Sequence, residues 1–183
     1  ENLYVVTEHG EIVHINVREK ENSFLEEKIK VSEEPITSLG FLLGDVSLVA
    51  GDQKGNVNIW MQVRDEATSS GWTLKKPHQS DITSIASSIR NKCFVTAASD
   101  GTIHLKHATS EQTLLNLKSK SMPTAIAYSP KSNGILVADS AGSLTHWSIS
   151  NPHPETTFRT LFGKVWYEGY EKPEHSWQST GGT

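Results

Sequence analysis

Eight histidines, one cysteine and a glycine pair near the C-terminus are the groups with which this chain of 183 residues could do chemistry. Zinc hydrolysis, a serine nucleophile or nucleotide binding each needs a fixed local spacing. Neither HExxH, Gly-x-Ser-x-Gly nor a Walker A pattern occurs. His104 and His107 are the nearest approach to a ligand pair. Three apart in a strand pattern, they face opposite sides and cannot share a metal through local geometry, so they read as solvated strand-edge histidines. Cys93 opens the apolar run Cys-Phe-Val-Thr-Ala-Ala and reads as a small buried hydrophobe rather than a nucleophile. Being single, it excludes an internal disulfide and any CxxC motif. Gly181 and Gly182, with Ser179, Thr180 and Thr183, offer amides to an anion such as phosphate, but a flexible terminus is the simpler reading. No catalytic, cofactor-binding or metal-ligating residue is assigned.

Charge narrows the partners. Seventeen Lys and Arg against 21 Asp and Glu give a net charge of −4, which is not the basic footprint of a nucleic-acid binder. No stretch approaches the roughly 18 apolar residues of a spanning helix, and no charged segment followed by an apolar one opens the chain. The first residue is Glu1 rather than Met, which suggests a piece of something longer.

Behind these scattered groups lies a repeat. Residues 3–15 (LYVVTEHGEIVHI), 48–60 (LVAGDQKGNVNIW), 94–106 (FVTAASDGTIHLK) and 135–147 (ILVADSAGSLTHW) align without gaps. Each is an apolar strand, a polar turn ending in glycine, and a second strand. The glycines Gly10, Gly55, Gly101 and Gly142 are spaced by 45, 46 and 41 residues. A residue without Cβ takes the positive φ of such a tight turn cheaply, and Asp100-Gly101 states the turn most clearly. Beyond each glycine, Ile12 and His14, Val57 and Ile59, Ile103 and Leu105, and Leu144 and His146 alternate with period two, the strand signal. His14 and His146 thus occupy equivalent positions, which favours packed histidines over ligands.

A third element recurs about twenty residues before the glycine, at 35–41 (PITSLGF), 81–87 (DITSIAS) and 123–129 (PTAIAYS). A weaker fourth strand is expected at 24–29, 72–75, 114–117 and 157–161. The chain therefore reads as all-β, built of four-stranded antiparallel meanders at 35–75, 81–117 and 123–161. An incomplete first unit spans 3–29, and its innermost strand is expected upstream of residue 1 or from another chain. A four-stranded unit of this period is a propeller blade, and about four blades make an arc, since a seven-bladed ring needs about 290 residues.

Residues 3–161 resemble the WD-repeat family. Asp100-Gly101-Thr102-Ile103 is similar to that family's turn into its third strand. Trp60 and Trp147 stand at its tryptophan position, and His78 with Ile82 and Ile85 resembles its entry into the first strand. Met61 and Ser148 replace the aspartate of the Trp-Asp dipeptide, and only the third unit has the histidine. The resemblance implies a structural role for Gly10, Gly55, Asp100, Gly101, Gly142, Trp60, Trp147 and His78.

The texture changes over residues 162–183, where Trp166, Tyr167, Tyr170 and Trp177 mix with glycine and charge. Residues 161–170 (LFGKVWYEGY) and 177–183 (WQSTGGT) resemble the segment before the transmembrane core of PstC-type phosphate ABC transporter permeases. That resemblance implies that residues 1–161 form a non-catalytic extracytoplasmic insertion at the periplasmic face of a bacterial inner membrane. Its partners would be the remainder of the permease and its periplasmic phosphate-binding protein, and residues 162–183 would lead toward the membrane. The second reading is an independent intracellular WD-repeat scaffold for protein–protein interaction. An arc has two open sheet faces, so the isolated chain is expected to self-associate as a homodimer.

Overall fold

The structure, a computed structural model, describes residues 2–17, 23–44, 47–61, 70–74, 77–131, 133–149 and 175–178. Every regular element among them is a strand. Val, Ile and Thr, stiff at Cβ, fill these strands, and a glycine or polar turn interrupts them every few residues. The first unit forms β1 (Asn2–Val6), β2 (Glu11–Asn16) and β3 (Phe24–Lys30), a three-stranded antiparallel sheet. The second forms β4 (Ile36–Phe41), β5 (Ser47–Asp52), β6 (Val57–Met61) and β7 (Ser70–Leu74). The third forms β8 (Ile82–Ser87), β9 (Cys93–Ala98), β10 (Thr102–His107) and β11 (Thr113–Lys118). In the fourth, β12 (Pro123–Tyr128), β13 (Gly134–Asp139) and β14 (Ser143–Ser148) are followed by β15 (His175–Gln178). Within each of the last three sheets the strands lie in chain order, and the second pairs with the third as the repeat requires, with Leu48 opposite Trp60 and Ile135 opposite Trp147.

One expected strand is displaced. The fourth place in the last sheet belongs to His175–Gln178, with His175 opposite His146 and Trp177 opposite Leu144, and not to 157–161, which lies outside the described residues. Once β15 occupies the outer edge of β14, no second segment can pair there. Residues 175–178 thus complete the last sheet.

Among the described residues the core is divided into three seams. One apolar seam joins Tyr4, Val6 and Ile12 of the first sheet to Ile36, Leu48, Ala50 and Trp60 of the second. Another joins Val49, Val57 and Ile59 to Ile82 and Phe94, and a third joins Val95, Ala97, Ile103 and Leu105 to Ile135, Val137 and Trp147. Period-two alternation gives each middle sheet two apolar faces, one for each neighbour. Gly51 lets the second seam close: a Cβ there would stand 2.5 Å from Cβ of Ile82.

The four turn glycines have φ of 73, 83, 91 and 76° at Gly10, Gly55, Gly101 and Gly142. Each amide bonds the carbonyl three residues back, on Thr7, Asp52, Ala98 and Asp139. The chain entering the next sheet then crosses over the turn. Ser32 N, His78 N and Ser119 N donate to the carbonyls of Gly10, Gly55 and Gly101 at 3.1, 3.3 and 2.8 Å. At Gly55 a Cβ would lie 2.6 Å from the carbonyl oxygens of both His78 and Ser80.

Gly55→Ala therefore combines a left-handed backbone with a backbone clash. A loss of about 3 kcal/mol is expected in urea unfolding. Gly40→Ala is the control: its Cβ meets nothing closer than 3.4 Å, a side-chain methyl of Ile85, and should cost under about 1 kcal/mol. Equal costs at the two positions would contradict the crossing geometry.

Candidate functional site

The densest polar cluster lies where the chain passes from the second sheet to the third. His78 is 1% exposed, and its backbone is tied to Gly55. Its ring bridges the two middle strands of the third sheet: Nδ1 lies 2.7 Å from Thr102 Oγ1 and Nε2 lies 2.8 Å from Thr96 Oγ1. Thr102 also donates its hydroxyl to Asp100 Oδ1 at 2.6 Å, and its amide to the same oxygen at 2.8 Å. A carboxylate only accepts, so the Thr102 hydroxyl hydrogen points to Asp100 and Nδ1 of His78 must donate. Neutral His78 then accepts from Thr96 at Nε2. The order Thr96, His78, Thr102, Asp100 is a directed chain of three hydrogen bonds.

A hydroxyl donating to a histidine is also the start of a nucleophilic relay. Burial decides against that use, because Thr96 is 0% exposed and no substrate carbonyl can approach it. Burial, with the like charges of His104 and Lys106, pushes the His78 ring down to about 3. At Asp100 burial raises the carboxyl, but the two Thr102 hydrogen bonds and nearby Lys118 outweigh it and hold it below the usual carboxylate range.

His104 is not a solvated strand-edge residue. β10 lies between β9 and β11, and the His104 ring stacks on His78 at 4.1 Å with an 18° tilt. Its Nδ1 is buried with no hydrogen-bond partner, and burial beside Lys106 pushes the ring down to about 4. His107 is apart from this cluster and meets Ser110 through Nδ1 at 3.2 Å. Lys106 stands where Trp60 and Trp147 stand in their units and is 4% exposed. Its Nζ donates to Thr113 Oγ1 at 2.6 Å, and burial lowers its pKa.

The remaining singled-out residues are spread among the seams. Trp60 and Trp147 are buried in the first and third. His14 is buried and stacks on Tyr4 at 4.4 Å. His146 lies over Gly134, where a Cβ would stand 2.4 Å from its Nε2. Cys93 is buried, and burial pushes its thiol up to about 11. Ser179, Thr180, Gly181, Gly182 and Thr183 lie outside the described residues, as do Trp166, Tyr167 and Tyr170. Among the described residues no group of three or more His, Cys, Asp or Glu converges on a metal position.

Two recurrent devices escaped the sequence reading. Asp52 and Asp139, each three residues before its glycine, hold the turn amides: Asp52 Oδ1 accepts from Lys54 N and Asn56 N, and Asp139 Oδ1 from Ala141 N and Ser143 N. Thr7 does this more weakly through Glu11 N, whereas Ala98 cannot, and there Asp100 takes over. The signal was the Asp-x-x-Gly spacing in two units. The second device is a bulge in each of β4, β8 and β12, at Thr37, Thr83 and Thr124, whose hydroxyls lie 3.2 to 3.3 Å from the carbonyls of Gly51, Ala97 and Ala138. Thr37 also reaches across the seam to Ile82 O at 2.6 Å.

The family description "WD domain, G-beta repeat" matches residues 70–105, the segment that contains His78, Thr96, Asp100 and Thr102. Over that segment the chain is similar to a WD40 repeat. A chain in a solved structure titled "Crystal Structure of Mitotic Checkpoint Complex" is similar at a TM-score of 0.70 and 21% identity, over 81% of this chain and 45% of that one. This chain therefore spans less than half of that neighbour, and at such identity the likeness concerns the fold: an arc of a WD40-type propeller. No curated protein matches the sequence.

Stability should depend on the two stacked rings of this WD40 repeat. Their folded pKa values, about 3 and 4, lie below the unfolded value near 6.5. As pH falls from about 6.5 toward 4, the unfolded chain binds protons that the native chain does not. Stability is thus full above that window and is lost within it, by roughly 1 kcal/mol per pH unit for each ring. His104→Phe keeps a stacked ring and removes one titrating group, so its urea-midpoint profile should be shallower. An unchanged slope would show that His104 titrates alike in both states.

Proposed function

We propose that the chain is a non-catalytic propeller scaffold that docks a protein partner on the side of the arc carrying the β4–β5 and β8–β9 connections of its second and third sheets. The observation that carries this reading is the exposure of Phe41, Leu43 and Ile89, at 37, 43 and 68%. β4 and β8 lie side by side, Thr37 meeting Ile82 and Gly40 meeting Ile85 and Ser87, so they run the same way and the connections that follow them emerge together, whereas the neighbouring Leu42 is buried in a seam. Large apolar side chains on adjacent loops are a common mark of a protein interface. The sealed relay at His78 and the WD40 character of the repeat support a binding role over chemistry. A photo-crosslinking residue at Ile89 should give one discrete adduct in the native host. Leu43→Asp should weaken that adduct ten-fold or more without changing the circular dichroism spectrum. An adduct insensitive to Leu43→Asp, or none, would contradict the reading.

A second reading has its own observation, the segment 161–170 with 177–183, which resembles PstC-type permeases. On that reading the scaffold is an extracytoplasmic docking or regulatory domain of a phosphate ABC transporter permease, at the periplasmic face of the inner membrane. It would serve the remainder of the permease and its periplasmic phosphate-binding protein. Phosphate capture belongs to the separate binding protein, so the chain itself needs no phosphate site. Neither the WD40 match nor the structural likeness carries a transporter context. A periplasm-dependent reporter fused after residue 183 in the parent protein should be active, and activity only in the cytoplasm would leave the first reading alone. On either reading the open faces at the two ends of the arc let the isolated chain form a homodimer, which light scattering at tens of micromolar would reveal.

A further inference from the structure

The two sides of the arc differ in charge. On the side of the glycine turns stand Glu33, Glu34, Asp52, Asp81, Asp100 and Asp139, and the lysines there are engaged: Lys54 meets Glu34, Lys30 meets Glu33 at 3.7 Å, and Lys118 donates to the carbonyl of Asp100 at 2.7 Å. On the other side Arg90 and Lys92 lie in the β8–β9 connection and Lys131 in the β12–β13 connection, all exposed. Among the described residues none of these three forms an ion pair. We propose that this side takes an extended acidic segment of a partner protein, its apolar end on Leu43 and Ile89 and its carboxylates on Arg90, Lys92 and Lys131. The inference rests on the docking reading and names the chemistry of that partner.

The cations are held in place from below. β8 and β12 lie side by side and run the same way, since Ile126 N donates to Ser84 Oγ at 3.2 Å and Arg90 Nε, further along, to the carbonyl of Pro130 at 2.8 Å. That bond sets the Arg90 guanidinium over the join of the third and fourth sheets and leaves its terminal nitrogens without a partner among the described residues, in the fork that a carboxylate fits. The buried Ser88 hydroxyl accepts from Arg90 N and Asn91 N at 3.1 and 3.2 Å, and Asn91 Oδ1 accepts from Cys93 N at 3.0 Å. A loop already ordered this way lowers the entropy cost of binding. Packed sheets lie about 10 Å apart, so the three connections span about 20 Å, the reach of roughly six extended residues.

Charge orients the segment. The described carboxylate on this side is Glu111, in the β10–β11 connection; the connections of the second sheet bring Asp45, Arg64, Asp65 and Glu66, which lie outside the described residues. The acidic end therefore belongs over the third and fourth sheets and the apolar end over the second. With a net charge of −4, the rest of the chain repels an acidic partner and steers it toward these cations. An anionic membrane would meet the same cations, but the net negative charge and the separation of Leu43 from Lys131 along the arc favour a segment with two unlike ends.

The probe is a fluorescein-labelled synthetic peptide, GFLGSEDEE, titrated against the whole chain by fluorescence anisotropy. Saturable one-to-one binding is expected, and the charge-reversed peptide GFLGSKRKK should bind about ten-fold more weakly. The double variant Lys92→Glu, Lys131→Glu alters only exposed side chains, so it should keep the circular dichroism spectrum and weaken the acidic peptide about ten-fold. Equal binding of the two peptides, or an acidic peptide indifferent to the double variant, would overturn the proposal. So would binding to vesicles of mixed phosphatidylcholine and phosphatidylserine, lost in the double variant, where the peptide does not bind. Such a failure leaves the docking reading standing as long as Leu43→Asp still weakens the Ile89 adduct; an adduct insensitive to Leu43→Asp removes that reading and this inference together.

Discussion

The architecture depends on a steric condition met at Gly10, Gly55 and Gly101: the chain bound for the next sheet crosses close enough to the turn that no Cβ fits beneath it. At Gly10 a Cβ would stand 2.0 Å from the carbonyl oxygen of Ser32, and at Gly55 2.6 Å from those of His78 and Ser80. The crossing is also a hydrogen bond, since the glycine carbonyl accepts from the amide above it. One residue type thus serves the turn's left-handed backbone and the join between sheets. Because the same join recurs, successive sheets are linked alike along the chain.

Between the joins, cohesion is divided among three seams. Each sheet is held chiefly by its neighbours in chain order, as in other repeat architectures. His78 stands at the node of the second join, with its backbone on the turn of one sheet and its ring between the middle strands of the next. The hydrogen-bond chain it anchors has the direction of a catalytic relay, but its threonine end is sealed. Lys106 marks the third unit differently, replacing the tryptophan of the second and fourth units with a buried stem whose ammonium donates to Thr113. Among the described residues, His78, Thr96, Thr102 and Lys106 serve as framework.

The glycine turns and the strand alternation were legible because each is a local pattern repeated four times over, and the innermost strand because its pattern recurs three times. The pairing of His175–Gln178 with β14 was not: a long segment intervenes, and no local period marks a strand recruited from so far along the chain. His104 read as solvated because its spacing from His107 was weighed without knowing that β10 is an inner strand stacked against His78. Thr37, Thr83 and Thr124 were aligned in sequence, yet a bulge is invisible to a period-two reading, so their hydroxyl bonds could not be foreseen. Asp52 and Asp139 were in plain view at a fixed distance before their glycines. Their capping role needed the turn geometry, which decides whether a carboxylate reaches the amides beyond it.

The central claim is that successive sheets pack face to face in chain order, closed at the second seam by the missing side chain of Gly51. The most direct measurement is the nuclear Overhauser effect between the Ile82 γ2 methyl and the Gly51 α hydrogens in isotope-labelled protein. With Ile82 Cγ2 2.5 Å from where a Gly51 Cβ would stand, the account predicts a strong cross-peak. Gly51 α hydrogens that see only residues of their own sheet, with Ile82 showing no contact to the second sheet, would contradict it.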